Sequence, residues 1–336
     1  MKNAVTRRAC LGAMAALPLA SAAGGETVGS IRRVDPELDS ILDSNAPIEI
    51  LATGYKWSEG PVWVKDGGYL LFSDVPGNVV HRWKQGEGAE PFLAPSGLAG
   101  KVPPTIREPG ANGLTLDAQG RLVMADSGTR AIARVDLATK EKTIVVDRYR
   151  GKRFNSCNDL VFARSGALYF TDPPYGLEGG DESPIKELAY NGVYRLGTDG
   201  RVALVDGTLS RPNGIGLSPD ERTLYVAMSD EKRPELLAYA LGEDGLPRGV
   251  RLFRDMRAEF AEKLPGLPDG LKVSATGHVF ATGPGGVHVI APDGRLLGII
   301  MPGKATANCA FGEDGRTLFL TAHDMLARVR LKISGW

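Results

Sequence analysis

The alternation of apolar and polar positions repeats six times along this chain. Each copy has a polar opener, a short apolar stretch, a Gly/Asp turn and a second apolar stretch. The copies are Glu59-GPVWVKDGGYLLFSD, Asn112-GLTLDAQGRLVMAD, Asn158-DLVFARSGALYFTD, Asn213-GIGLSPDERTLYVAMSD, Asp269-GLKVSATGHVFATG and Asn308-CAFGEDGRTLFLTA. Their openers lie between 39 and 56 residues apart, the length of one propeller blade. Four strands are predicted per repeat, in the second at 114–116, 122–125, 131–135 and 143–146. The turns after first strands (KDGG, AQGR, RSGA, PDER, SATG, EDGR) carry the Gly and Asp that hairpins need.

The last repeat has room for three strands, 309–311, 317–321 and 326–331. Residues 47–53 (PIEILAT) read as a strand with no partner of their own. The pattern therefore predicts an all-β, six-bladed β-propeller of four-stranded blades whose final blade is completed by an N-terminal strand. Closing the ring leaves few exposed sheet edges. The predicted organisation is an export signal at 1–23, an irregular stretch at 24–46 with at most a helical turn near 39–44, and one propeller domain at 47–336. Strand direction places the long segments 95–111, 148–157, 173–190 and 256–268 at the end where the openers begin their inner strands. Long loops on a rigid scaffold mark that mouth as the functional face.

Composition refines this. The 43 Gly and 22 Pro among 336 residues, with 43% hydrophobic positions and no Gly-X-Y period, fit many tight turns rather than disorder. Lys2, Arg7 and Arg8 precede an apolar run to Leu19 and the small residues Ala20-Ser21-Ala22. The phrase Thr6-Arg7-Arg8-Ala9-Cys10-Leu11 is similar to a twin-arginine export signal, which places the mature protein in the periplasm or outside the cell. No stretch is long and apolar enough to predict a membrane span. Charge balances at 40 basic against 40 acidic residues, and removal of 1–23 leaves a slight acidic excess. Such a surface offers nucleic acid or anionic lipid no attracting field. Cys157 and Cys309 fall on opposite sides of a six-fold ring and are expected to be free, buried thiols.

Openers meeting at one axis make a candidate cation site. Glu59 and Asp269 bring carboxylates; Asn112, Asn158, Asn213 and Asn308 bring carboxamides. An all-oxygen set suits Ca²⁺, with another divalent cation possible, whereas zinc more often recruits His or Cys. The four histidines show no ligand spacing. A single opener is explained by turn chemistry alone; their recurrence at one repeat position is not. Gly298-IIMP-Gly303-Lys304 fits a phosphate-loop spacing, but Ala305 follows and no helix does, and no G-x-S-x-G or H-E-x-x-H is present.

The phrases SEGPVW, REPGANGL, NSCNDL, YFTDPPYGL, SRPNGIGLS and PDGLKV resemble the SMP-30/gluconolactonase-like family of six-bladed propellers over residues 50–331. The resemblance implies a calcium-dependent lactonase, with related members hydrolysing organophosphates. It implies metal ligands at Glu59, Asn158, Asn213 and Asp269, and substrate contacts at Arg107 and Asn112. Tyr175, on the longest upper loop, is a further candidate for the substrate rim. Two positions depart from the pattern: Cys157 stands where Pro is usual, and Asp126-Ser127 where many bacterial members carry His. Adding water to a lactone carbonyl calls for polarisation by the cation and for a base. Asp269 is the candidate base, with metal ligation as an alternative or shared role. Asp159 is a candidate for a second, structural calcium. The expected partner is a small lactone or ester. The alternatives are a non-catalytic, metal-stabilised binding propeller and a quinone-dependent sugar dehydrogenase.

Overall fold

The computed structural model describes residues 25–335. Six antiparallel sheets form a six-bladed β-propeller, and in each the first strand of the repeat is innermost. Blade two shows the plan: Ala111–Leu116, Leu122–Asp126, Ala131–Val135 and Lys142–Val146, each hydrogen-bonded to the next. Turns after the innermost strands place at least one residue in the left-handed region, and that of blade six places two, Glu313 (φ 56°) and Gly315 (φ 82°). A glycine takes this conformation in five blades, and Glu221 (φ 58°) takes it in blade four.

Alternation along the strands sends apolar side chains to both faces of each blade, where they meet the neighbouring blade. The core is accordingly six apolar clusters, one in each seam between adjacent blades. The seam closing the ring joins Phe72 and Trp83 of blade one to Phe319 and Leu326 of blade six. Ile48–Thr53 pairs antiparallel with Met325–Arg330, so the N-terminal strand completes blade six as its pattern predicts.

The stretch 24–46 differs from the irregular segment expected. Thr27–Val28 extends blade six beyond Ile48–Thr53, and Ser30–Arg33 pairs with Leu296–Met301 as a fifth strand of blade five. Between these strands and Ile48, a short helix at Leu38–Ile41 drops Leu38, Ile41 and Leu42 into the seam between blades five and six. Edge strands this short and polar are held by backbone pairing, which leaves little trace in side-chain pattern. The export signal read at 1–23 lies outside the described residues. Cys157 and Cys309 are free and buried, and no helix among the described residues is long and apolar enough to cross a membrane.

Candidate metal and substrate site

In blades one, two, four and six the innermost strand begins with a register shift at or beside its opener. In blade two Ala111 pairs with Asp126 and Leu114 with Met124, so Asn112 and Gly113 together oppose one residue. Pro212↔Met228 followed by Ile215↔Val226 repeats this around Asn213 and Gly214. The glycine after the opener is required by crowding. A Cβ on Gly60 (φ 48°) would sit 2.1 Å from the Asn112 carbonyl oxygen, and one on Gly214 2.0 Å from that of Asp269. Bonds between blades then fix the ring: the Ser73 hydroxyl donates to the Asn112 carbonyl (2.8 Å) and that of Thr171 to the Asn213 carbonyl (2.7 Å).

Five openers, Glu59, Asn112, Asn158, Asn213 and Asp269, line one cavity of about 700 Å³ at the upper mouth. Arg107 and Tyr175 line it too, so the structure brings seven of the nine site candidates read from sequence to one place, Asp159 and Asn308 lying outside it. Two upper loops supply this wall. Ile106 bridges to Leu177, and the Arg107 amide donates to the Gly176 carbonyl (2.8 Å), joining segment 95–111 to segment 173–190. The Arg107 guanidinium is more than half exposed and donates to Glu108 (3.1 Å). Trp57, Phe260, Leu264 and Leu267 give the mouth an apolar side.

The sixth opener is corrected. In blade six Thr306 pairs with Ala322 and Asn308 with Thr321, so Ala307 occupies the opener register and Asn308 the position after it. The Gly270 amide donates to the Ala307 carbonyl (2.7 Å), just as that of Gly113 donates to the Asn158 carbonyl (2.7 Å). Asn308 consequently lies one layer deeper and is not among the cavity-lining residues.

Electrostatics at the cavity floor suit a cation. Glu59 is 2% exposed, and its Oε2 accepts the Gly60 amide (2.7 Å). Burial, and then the charge of Asp159, push the Glu59 carboxyl up to about 7. Burial, and then the charge of Glu59, raise Asp269 well above the usual carboxylate range. The Asp269 Oδ1 is buried without a hydrogen-bond partner. The carboxamides of Asn112 and Asn158 make no side-chain hydrogen bond among the described residues, whereas Asn213 Nδ2 donates to Ser229 Oγ (2.9 Å), leaving its Oδ1 free to ligate. Two acids that disfavour each other's ionisation, an orphaned carboxylate oxygen and free amide oxygens together fit a hard divalent cation. Among the described residues no three His, Cys, Asp or Glu side chains form a metal cluster, so the donor set depends on asparagine.

The family described as "SMP-30/Gluconolactonase/LRE-like region" matches residues 57–324, from the first strand of blade one through the second strand of blade six. The chain belongs to this family. It is 48% identical over 351 aligned residues to the gluconolactonase of Zymomonas mobilis, covering 98% of this chain and 99% of that one. A Xanthomonas campestris structure described as a gluconolactonase is 34% identical, with a TM-score of 0.78 over 92% of this chain and 98% of that one. The calcium-binding regucalcin of Agrobacterium tumefaciens shares the fold at 21% identity, with a TM-score of 0.67 over 85% and 94% of the two chains.

Within the SMP-30/gluconolactonase family this chain's two departures lie off the cavity. Asp126 is fully buried, paired with Lys142 (3.0 Å) and capping the Thr129 amide, while Ser127 donates to the Cys157 carbonyl (2.8 Å). Three residues near the site escaped the sequence reading. Ser229 links Asn213 to the Pro268 carbonyl. Glu108 lines the cavity with Oε2 buried and unpartnered, its carboxyl raised by burial. Lys272 reaches the axis from blade five, its Nζ donating to Asn308 Oδ1 (3.3 Å). Glu108 had a signal in REPGANGL, beside an arginine already singled out, and Lys272 one in PDGLKV, three residues after Asp269; Ser229 had none.

Proposed function

We propose that the protein is a lactonase that opens a sugar lactone with the help of a divalent cation, calcium fitting the donor set best. The observation that carries this reading is the convergence of Glu59, Asn158, Asn213 and Asp269, from four blades, on one cavity. Membership of the family and similarity to two gluconolactonases support it, as do other lactonases among the relatives, including the pentonolactonase of Haloferax volcanii (26% identical). They favour hydrolysis over the binding-propeller and quinone-dehydrogenase readings.

Glu59, Asn158, Asn213 and Asp269 would hold the cation. When bound, it supplies Lewis-acid polarisation of the lactone carbonyl and offsets the charge that builds on its oxygen. The other steps belong to the side chains. Arg107 and Asn112 orient the sugar through its hydroxyls. Tyr175, whose buried hydroxyl sits beside Ser229 and Asn213, offers a donor to the ring substituents. Asp269, ionised beside a positive charge, takes the proton from the attacking water and returns it to the ring oxygen as the ester bond breaks.

Aldonolactone opening, followed by proton release in weak buffer, tests the reading. Activity should vanish with chelator, return with calcium and fall by about 10²-fold or more in Asp269→Asn. Turnover indifferent to both would overturn it. We further infer export to the periplasm or outside the cell from residues 1–23; accumulation in the cytoplasm of native cells would contradict this.

A further inference from the structure

Beneath the cavity the axial channel is plugged, and the plug follows from the sequence position after each opener. That position holds Gly60, Gly113, Gly214 and Gly270 in four blades, Asp159 in blade three and Asn308 in blade six. Glycines leave space at the axis, and the two side chains from opposite blades fill it. Asn308 Nδ2 lies 3.4 Å from Asp159 Oδ2 and 3.2 Å from Glu59 Oε2. A Cβ on Gly270 would sit 2.0 Å from Asn308 Cγ, so the carboxamide needs that glycine. Two residues along blade five's inner strand, Lys272 projects to the same axis. Its Nζ donates to the Leu271 carbonyl (3.0 Å) and to Asn308 Oδ1 (3.3 Å). Its stem lines a second cavity of about 270 Å³ at the lower mouth, otherwise bordered mostly by apolar residues.

Asn308 thus faces one cation and two carboxylates and presents the correct end of its amide to each. Its oxygen takes the Lys272 ammonium, and its nitrogen faces the acids. This orientation makes Glu59 Oε2 the anchored oxygen, held by the Gly60 amide and by Asn308, and leaves Oε1 for the upper cavity. Asp159 Oδ1 is similarly occupied by the Leu160 amide (2.8 Å). The charge of Lys272 acts on both Asp159 and Glu59.

We propose that Lys272 is the resident cation of this lower layer, standing where a second metal ion would otherwise neutralise Asp159, and that through Asn308 it positions Glu59 for the cation above. The layer is then a permanent floor: the upper cavity is blind, and substrate and product share one mouth. The inference rests on the calcium site of the proposed function but not on lactone turnover.

Calorimetric titration of the whole mature chain with calcium tests it, alongside thermal midpoints in chelator. Wild type and Lys272→Arg should bind one calcium per chain. Lys272→Met keeps the volume of the stem and removes its charge. It should bind two, and its midpoint in chelator should fall by several degrees and recover more with calcium than that of wild type. Lys272→Met/Asp159→Asn, with neither charge, should return to one calcium and regain the lost midpoint. Asn308→Ala should weaken the upper site by about 10- to 100-fold, as loss of a group orienting a ligand does. Two calcium ions in wild type, or one in Lys272→Met with an unchanged midpoint, would overturn the proposal. If wild type binds calcium but opens no lactone, the functional reading alone fails. If it binds none, the single and double variants compared in chelator decide the electrostatic coupling of Lys272 to Asp159: a midpoint lost and regained supports it, and equal midpoints refute it.

Discussion

At the scale of single residues, backbone crowding at the axis is as demanding as the chemistry. Gly60 holds φ 48°, and a methyl group there would meet the Asn112 carbonyl at 2.1 Å. Gly60→Ala must therefore shift blade one against blade two. We expect a loss of about 2–4 kcal/mol in stability and at least tenfold weaker calcium binding, read by denaturant unfolding and calorimetry. His288 sets a different constraint. Its Nε2 lies 3.0 Å from the Pro284 carbonyl, so a neutral ring carries its proton there, and Nδ1 is buried without a partner. Burial pushes the imidazole down to about 4. Between pH 6.5 and 4 the unfolded chain binds a proton that the folded chain refuses, so stability falls as pH drops through that window. The loss is on the order of 3 kcal/mol by pH 4. His288→Gln, which can still donate to Pro284, should flatten this part of the acid limb, measured as unfolding free energy against pH. Residue identity was legible where the repeat carried it, five openers sharing one cavity, and Arg107 and Tyr175 joined them from the resemblance and the loop reading. It slipped by one at Asn308, because a bulge displaces side chains without altering the apolar pattern on either side.

At the scale of elements, the inner strands and their turns were legible because alternation and turn chemistry act locally. The predicted 114–116 and 122–125 fall within the two inner strands of blade two, Ala111–Leu116 and Leu122–Asp126. Strands at the outer edges were less legible. Ser30–Arg33 has one apolar residue in four, and its place on blade five comes from backbone pairing with Leu296–Met301. What fastens this segment is the short helix after it. Leu38, Ile41 and Leu42 are 0–1% exposed in the seam between blades five and six, against Val289, Leu297 and Leu318. Helix propensity cannot hold a single turn; apolar burial must. Leu38→Ala should cost about 3 kcal/mol in chemical unfolding. It should also speed proteolysis before residue 48 while sparing calcium affinity, since the helix lies at the rim of the ring and the cation site at its centre.

At the scale of the whole molecule, the six seams and the axis are different kinds of glue. The seams are apolar and join neighbours, so each blade depends on the next, as in other repeat architectures. The axis joins blades one, three, four and five through Glu59, Asn158, Asn213 and Asp269, which share no seam in common. Without a cation, two buried carboxylates there oppose each other's ionisation and pull against the ring. On the proposed reading a cation at the centre would reverse that sign and bind the folded ring, whereas the unfolded chain would disperse its ligands along more than 200 residues. Mass action would then have calcium stabilise the fold by about 2.7 kcal/mol at a hundredfold excess over its dissociation constant. Chelation should accordingly lower the thermal midpoint by several degrees, with the shift growing as the logarithm of free calcium. Asn213→Ala should shrink that shift much more than it lowers the midpoint in chelator, because its side chain serves the cation more than the seam. A midpoint that ignores calcium from micromolar to millimolar would mean that the axial oxygens hold no cation, and that the ring is closed by its seams, its N-terminal strand and the Lys272 plug alone.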